Sequence, residues 1–229
     1  MNSPLEDNYY YHIYNRGVEK RTIFQESQDY YRFLETINFY RLDPTPRKLS
    51  THLRFGSPPT PNHFIQNELV RIICFCLMPN HFHLLIQQIK DGGISEFIRR
   101  LSDSYTRFFN IKYGRIGALL QGKFKAKLVE KDEYLLQLSK YIHRNPLALP
   151  MWKDKLKEYC FSSYPGYINQ VRNYEFCDTK TISEYFSTEN HLLSYESFVE
   201  ESTEISLPES LFLEEDYEVD TSDVVSKYD

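Results

Sequence analysis

Apolar and polar side chains follow two different periods along the first 145 residues. Nearly unbroken or alternating apolar runs predict β-strands at Tyr9–Asn15, Leu69–Leu77 and His81–Ile89, with a shorter one at Lys125–Glu130. The turn residues Met78–Asn80 join the second strand to the third. These two strands are therefore expected to form a hairpin.

The other period is helical. Apolar residues three and four apart predict helices over Gln28–Tyr40, Ser95–Lys112 and Asp132–Arg144. Ser95 is the expected N-cap of the second helix. The third has acidic residues in its first turn and must stop at Asn145-Pro146, because the residue before a proline disfavours helical backbone angles.

The predicted order is β-α-β-β-α-β-α. Split β-α-β units in this order form an antiparallel sheet with helices on one face, so we predict an α+β protein of the ferredoxin-like class. Residues 1–172 would form this domain, interrupted by a proline-rich loop insertion at 43–67. Residues 173–229 would form an extension with one short helix near Ile182–Phe186 and disorder after about residue 200.

Charge divides the chain at the same boundary. Residues 173–229 hold 16 of the 32 acidic residues but only 2 of the 27 basic ones, a net charge of −14. The preceding 172 residues therefore carry +9. A basic body with an acidic tail suggests that the body binds nucleic acid. We further hypothesise that the tail folds over the basic groove and competes with that partner.

Most of the basic residues in the middle of the chain are interleaved with aromatic ones. Cations bind phosphates and flat rings stack on unpaired bases, so this mixture suits a single nucleic-acid strand. A solvated helix face above an aromatic core would produce the same composition. With Arg16 after the first strand, the predicted DNA-binding residues are Arg99, Arg100, Arg107, Lys112, Arg115, Lys123, Lys125 and Lys127.

His81 and His83 flank Phe82 in the third predicted strand. Alternate residues of a strand share a face, so both imidazoles point the same way while Phe82 points into the core. Two imidazoles so placed can share a divalent metal ion, although a third ligand must come from elsewhere. The alternative is two polar residues on an exposed strand face.

Tyr141 and Asn145 are four residues apart at the end of the last predicted helix, so they lie on one face. Tyr141 is a candidate nucleophile, and the amide oxygen of Asn145 is a candidate metal ligand. Tyr105 and Tyr113 are rival nucleophiles. His143 is a weaker candidate ligand because its offset from Tyr141 turns it towards the opposite side of the helix.

Four segments together resemble the single-tyrosine HUH transposases, and most of all the branch called REP-associated tyrosine transposases. The segments are Tyr11–Gly17 (YHIYNRG), Met78–His83 (MPNHFH), Leu120–Phe124 (LQGKF) and Tyr141–Pro146 (YIHRNP). Their order and spacing match over roughly residues 8–170. The last ~58 residues lie outside the resemblance.

The resemblance implies a ferredoxin-like fold and a nuclease that acts on single-stranded DNA, often beside a hairpin. By similarity, His81, His83 and Asn145 would bind Mg²⁺ or Mn²⁺. Tyr141 would be the nucleophile that forms a 5′-phosphotyrosine and then allows the strand to be rejoined. Relatives include monomers and homodimers, so the resemblance leaves the oligomeric state open.

Two other functions are compatible with parts of the sequence. A domesticated relative could bind hairpin DNA without cutting it, keeping the basic groove. A metal-dependent hydrolase of a small molecule would use the histidines, but would not explain the basic middle or the pair Tyr141 and Asn145. No membrane segment or secretory signal is evident in the sequence, so we expect a cytoplasmic protein without a membrane partner.

Overall fold

A computed structural model describes residues 5–43, 45, 48–55, 67–169, 174–201, 205, 207–208 and 211. Its central feature is a sheet of four strands, β1 (Tyr10–Arg16), β4 (Val70–Met78), β5 (His81–Gln88) and β6 (Lys125–Val129). They lie side by side in the order β4-β5-β1-β6. Every neighbouring pair is antiparallel.

Two helices make the crossovers of this sheet. Helix α1 (Ser27–Tyr40) links β1 to β4, and helix α3 (Gly93–Lys112) links β5 to β6. The strand that lies between the two ends of each crossover is antiparallel to both, which is the split β-α-β arrangement. The ferredoxin-like, antiparallel α+β fold predicted from the sequence is therefore confirmed.

Both crossover helices pack on the same face of the sheet. Phe33 of α1 lies 5.1 Å from Phe82 of β5 and 4.9 Å from Tyr105 of α3, measured between ring centroids. All three rings are fully buried. Helix α3 begins at Gly93 after Gly92 at φ 65°, two residues before the predicted cap Ser95, because Gly92 can adopt the left-handed turn that redirects the chain.

Helix α4 (Asp132–Arg144) lies against the other face of the sheet. Its buried side includes Leu138 and Ile142, as the periodicity predicted. Short 3-10 turns follow over residues 145–158, and then helix α5 (Tyr164–Tyr167). The sheet is thus covered on both faces, with the crossover helices on one side and α4 on the other. The predicted placement of the helices on one face is correct for α1 and α3 and wrong for α4.

The predicted loop insertion at 43–67 contains regular structure in its described part. Strands β2 (Leu42–Asp43) and β3 (Asn67–Glu68) pair with each other, and helix α2 (Leu49–Phe55) lies between them in the sequence. Residues 44, 46–47 and 56–66 of the insertion lie outside the described residues. The sequence reasoning missed these elements because a two-residue strand has no period.

The first part of the acidic extension folds onto α4. Helix α6 (Lys180–Ser183) begins two residues before the predicted Ile182, and helix α7 (Tyr195–Glu200) follows. The guanidinium of Arg144 donates to the carbonyl of Val199 at 2.7 Å. Most residues after 201 lie outside the described residues, so the predicted disorder there stays a prediction, as does the domain boundary at 172.

Candidate active site

The sheet face beneath α4 carries a row of histidines. His81 and His83 stand on β5, opposite Arg16 and Tyr14 of β1 in the antiparallel register. Side chains directly opposite one another project from the same face, so these four groups lie together. Phe82 points to the other face, as the alternation predicted.

Burial keeps these imidazoles neutral. His81 and His83 are 1% and 0% exposed. Loss of solvent lowers the pKa of His81 to about 4 and places the pKa of His83 well below its ordinary value of 6.5. A nearby Asn145 side chain acts in the opposite direction on both groups, but burial dominates. Neutral imidazole is the form that binds metal ions.

The hydrogen bonds of the two rings leave one nitrogen of each for a further ligand. Nδ1 of His81 lies 2.7 Å from the Oδ1 atom of Asn80, and Nδ1 of His83 lies 3.0 Å from Nε2 of His12. Within the described part of the chain, the buried Nε2 atoms of His81 and His83 have no partner of hydrogen-bonding geometry. Buried polar atoms are rarely left in this state, so the pair fits a site for a cation.

Helix α4 brings the candidate nucleophile to the same place. The Tyr141 ring stands edge-on to His83, with 5.7 Å between the centroids, and 6.1 Å from the ring of His12. The amide nitrogen of Asn145 donates to the carbonyl of Tyr141 at 3.0 Å. The four candidate residues Tyr141, His81, His83 and Asn145 are thus assembled on one side of the sheet.

The donors of this site are nitrogen and amide oxygen atoms. No cluster of three histidine, cysteine or acidic side chains that could hold a metal ion occurs among the residues whose placement is described. The amide oxygen of Asn145 is the candidate for a third ligand beside the two imidazoles.

The rival candidates have structural partners elsewhere. The hydroxyl of Tyr105 donates to the carbonyl of Ile23 at 2.6 Å, and that of Tyr113 donates to Asp29 at 2.7 Å. Both interactions lie on the α1 and α3 side of the sheet. These tyrosines therefore stabilise the packing of the crossover helices.

His143 also faces away from the site. Its Nδ1 lies 2.7 Å from the hydroxyl of Tyr195 and its Nε2 lies 2.8 Å from Oγ of Ser163. Both ring nitrogens are thus occupied in a buried network that ties α7 to the domain. This placement agrees with the expectation that His143 is a weaker candidate ligand.

Three of the nine predicted DNA-binding residues form ion pairs on the α3 side. Arg99 contacts Glu96 at 2.8 Å, Arg100 contacts Glu96 at 2.6 Å, and Lys112 reaches acidic groups of α1 at 2.6 Å. An ion-paired cation attracts a phosphate less strongly, because the neighbouring carboxylate cancels much of its field. Sequence alone did not reveal these partners, which come partly from other elements.

Three others border the sheet face that carries His12, His81 and His83, which we call the histidine face. Arg16 is opposite His81, while Lys125 and Lys127 of β6 are opposite Tyr14 and His12. The nearby positive charge of Lys127 helps to lower the pKa of His12. The remaining three candidates lie outside this face: Arg107 is exposed on α3, Arg115 donates to Asn110, and Lys123 is exposed before β6.

His12 is the residue of this face that sequence reasoning missed. It is fully buried, and its pKa is lowered to about 4, chiefly by burial. Its Nδ1 lies 3.0 Å from the carbonyl oxygen of Leu211. Two signals in the sequence pointed to it: its place in the Tyr11–Gly17 segment, and the alternation of His12, Tyr14 and Arg16 in β1, which becomes informative once the pairing of β1 with β5 is known.

The hairpin of β4 and β5 and the helix α4, which carries Tyr141, fall within a segment that matches a known protein family. Residues 60–145 match the family model described as "Transposase IS200 like". The matched segment covers 86 of the 229 residues, includes both strands of the hairpin that carries His81 and His83, and ends at Asn145. His12 precedes the matched residues.

Among solved structures, the chain is similar to one described as "Structure of the REP associates tyrosine transposase bound to a REP hairpin". The two are 13% identical, the match covers 78% of this chain and 95% of that chain, and the TM-score is 0.49. No curated protein matches the sequence. In the described part of the chain, no helix is long and apolar enough to cross a membrane.

Proposed function

We propose that this protein is a metal-dependent transposase that cuts and rejoins single-stranded DNA through a 5′-phosphotyrosine. One observation carries the proposal. Tyr141 and Asn145 lie on one sheet face with His81 and His83, whose Nε2 atoms have no partner among the described residues, within an IS200-like transposase segment. The sequence resemblance to REP-associated tyrosine transposases supports hairpin-flanked DNA as the substrate.

Each side chain would have one role. Nε2 of His81 and Nε2 of His83 would bind Mg²⁺ or Mn²⁺, with the amide oxygen of Asn145 as third ligand. When bound, the divalent ion would supply positive charge beside the scissile phosphate. Arg16, Lys125 and Lys127 would hold the neighbouring phosphates of the strand on the same face.

The chemistry conserves the number of phosphodiester bonds. The hydroxyl oxygen of Tyr141 attacks phosphorus, the bond to the 3′ oxygen breaks, and the leaving oxygen takes a proton to become a 3′-hydroxyl. The tyrosyl proton leaves to solvent or to a water in the site, since both ring nitrogens of His143 are already occupied. A 3′-hydroxyl from another strand can then attack the phosphotyrosine and release Tyr141.

A covalent-adduct assay tests this function. Full-length protein, labelled single-stranded hairpin DNA from the flanks of its own gene and Mn²⁺ would be mixed and run on a denaturing gel. We expect a labelled protein band that disappears with Tyr141→Phe and with chelator. Tyr113→Phe is the matched control and should keep the band, because that hydroxyl contacts Asp29 on the other side of the sheet.

The alternative functions predict different results in this assay. DNA binding without any adduct, across several flanking substrates, would overturn the catalytic assignment in favour of a hairpin-binding protein. An adduct that survives Tyr141→Phe would move the nucleophile to Tyr105 or Tyr113. Chelator-resistant adduct formation would overturn the metal dependence alone.

A further inference from the structure

His12 and the carbonyl of Leu211 form a hydrogen-bonded chain behind His83. We propose that His12 is a positioning residue that fixes which nitrogen of His83 faces the proposed metal site, with Leu211 as the anchor of the chain. This inference rests on the proposed function of His83 as a ligand. It gives a role to a buried histidine that lies outside the matched transposase segment.

The direction of the hydrogen bonds follows from the anchor. A backbone carbonyl can only accept, so Nδ1 of His12 carries the proton in its 3.0 Å contact with Leu211. A neutral imidazole has one N–H group, so Nε2 of His12 is an acceptor. The 3.0 Å contact between Nε2 of His12 and Nδ1 of His83 therefore places the proton of His83 on Nδ1.

This arrangement leaves the lone pair of His83 on Nε2. The second histidine of the pair is set in the same way, because Nδ1 of His81 contacts the amide oxygen of Asn80 at 2.7 Å. Both rings therefore present Nε2 as an acceptor, and both Nε2 atoms lack another partner within the described residues. Metal-binding histidines commonly have this outer hydrogen bond, which fixes their tautomer and orientation.

The geometry favours a positioning role for His12 over that of a third ligand. Its Nε2 is directed at Nδ1 of His83 and its Nδ1 at Leu211, so both nitrogens are occupied. The planes of the His12 and His83 rings are nearly parallel, with an interplanar angle of 18° and 5.2 Å between the centroids, which is compatible with an N–H···N bond between them. The ring of His83 separates His12 from the nitrogen that would bind the metal ion.

The test uses full-length, metal-free protein labelled with ¹⁵N-histidine. Long-range ¹H–¹⁵N correlation spectra report the tautomer of each histidine, and electron paramagnetic resonance of free Mn²⁺ reports affinity. In the natural protein we expect His83 in the Nδ1–H form. His12→Phe keeps a ring but removes the acceptor, so His83 should shift towards the Nε2–H form and Mn²⁺ affinity should fall about 10–100-fold.

A second pair of variants separates hydrogen bonding from packing. In His12→Gln the amide oxygen can reach the position of Nε2, so the Nδ1–H form of His83 and most of the Mn²⁺ affinity should return. His12→Asn is shorter and should not restore them. Comparison of His12→Gln with His12→Asn tests the hydrogen bond to His83 even where His12→Phe fails to fold. His143→Phe is the matched control, because His143 is an equally buried histidine with no contact to His83.

Two outcomes would overturn the inference. One is a folded His12→Phe whose His83 tautomer and Mn²⁺ affinity equal those of His143→Phe. The other is a Gln variant that behaves like the Asn variant. Failure of the proposed function looks different, since natural protein that binds no Mn²⁺ would refute the metal site while the tautomer spectra still report the hydrogen-bonded chain.

Discussion

The side-chain amide nitrogen of Asn145 donates a hydrogen bond to the backbone carbonyl of Tyr141, 3.0 Å away. This bond leaves the amide oxygen of Asn145 as the group that can face His81 and His83. Burial lowers the pKa of both histidines, and the side chain of Asn145 opposes that shift with a smaller effect. The residue that would hold a metal ion is therefore fixed to the residue that would attack the phosphate.

Replacing Asn145 should affect metal binding more than stability. Asn145→Ala removes the proposed third ligand, the amide oxygen, and should weaken Mn²⁺ binding about tenfold or more, whereas Asn145→Asp keeps an oxygen and should retain binding. Titration of free Mn²⁺ by electron paramagnetic resonance measures both. Asn110→Ala is the control, because its amide also donates to a backbone carbonyl, that of Gly117, on the α3 side. Equal affinity of the Asn145 and Asn110 alanine variants would exclude Asn145 as a ligand.

Single basic residues should differ in their effect on DNA binding according to their place in the fold. Lys127 is opposite His12 on the histidine face, whereas Arg99 is paired with Glu96 and Asp103. Lys127→Gln should weaken single-strand binding and reduce the slope of log K against log salt by about 0.7, the value for one phosphate contact. Arg99→Gln should leave that slope unchanged.

Fluorescence anisotropy of labelled single-stranded DNA between 50 and 200 mM salt, roughly the range over which such contacts are resolved, measures this difference. A larger effect from Arg99→Gln than from Lys127→Gln would place the DNA on the crossover helices. The same result would remove the electrostatic support for a substrate strand that crosses the histidine face.

The rival tyrosines should behave as structural residues. Tyr105→Phe removes the hydroxyl that donates to the buried carbonyl of Ile23, so the free energy of unfolding should fall by about 1–3 kcal/mol. The covalent adduct should still form. Urea unfolding followed by circular dichroism measures the loss. Unchanged stability combined with a lost adduct would instead make Tyr105 part of the reaction.

The buried His143 should make the free energy of unfolding depend on pH. Burial lowers its pKa to about 3, below the ordinary 6.5, so the unfolded chain takes up a proton before the folded one does. The stabilisation that comes from His143 is therefore fully present above pH 6.5. It is lost as the pH falls towards 3, where the free energy of unfolding decreases by up to about 1.4 kcal/mol per pH unit. Removing this histidine should make the pH dependence shallower.

Urea unfolding of His143→Phe at several pH values, with chelator present, tests the assignment. The variant should also be less stable at neutral pH, by about 1–3 kcal/mol, because the hydroxyls of Ser163 and Tyr195 lose their shared partner. An identical slope for the variant and the natural protein would show that His143 is protonated normally in the folded state. The buried His12 and His81, with pKa values of about 4, would continue to contribute in both proteins.

Local patterns were enough to predict much of the fold. The hairpin of β4 and β5, the inward Phe82 and the packed side of α4 at Leu138 and Ile142 all follow from periods of two and 3.6 residues. The order of the elements restricted the topology further, since split β-α-β units give one sheet order. These features depend on neighbours within a few turns or one hairpin.

Features that depend on pairing between distant segments were not predictable. The role of His12 appears only when β1 is aligned beside β5, and its contact with Leu211 joins residues 199 positions apart. The ion pairs of Arg100 with Asp43 and of Lys112 with Asp29 likewise link separate elements. A composition that is basic along the sequence can therefore be partly neutralised in space.

The contact between Leu211 and His12 has a consequence for protein synthesis. Translation adds about 5–20 residues per second, so β1 is synthesised roughly 10–40 s before Leu211. A nascent chain, or one ended by an early stop codon, would contain Tyr141, His81 and His83 without the carbonyl that anchors the hydrogen-bonded chain. If His12 positions His83 as proposed, the proposed metal ligands are ordered only in a polypeptide translated past Leu211, which lies 70 residues after Tyr141.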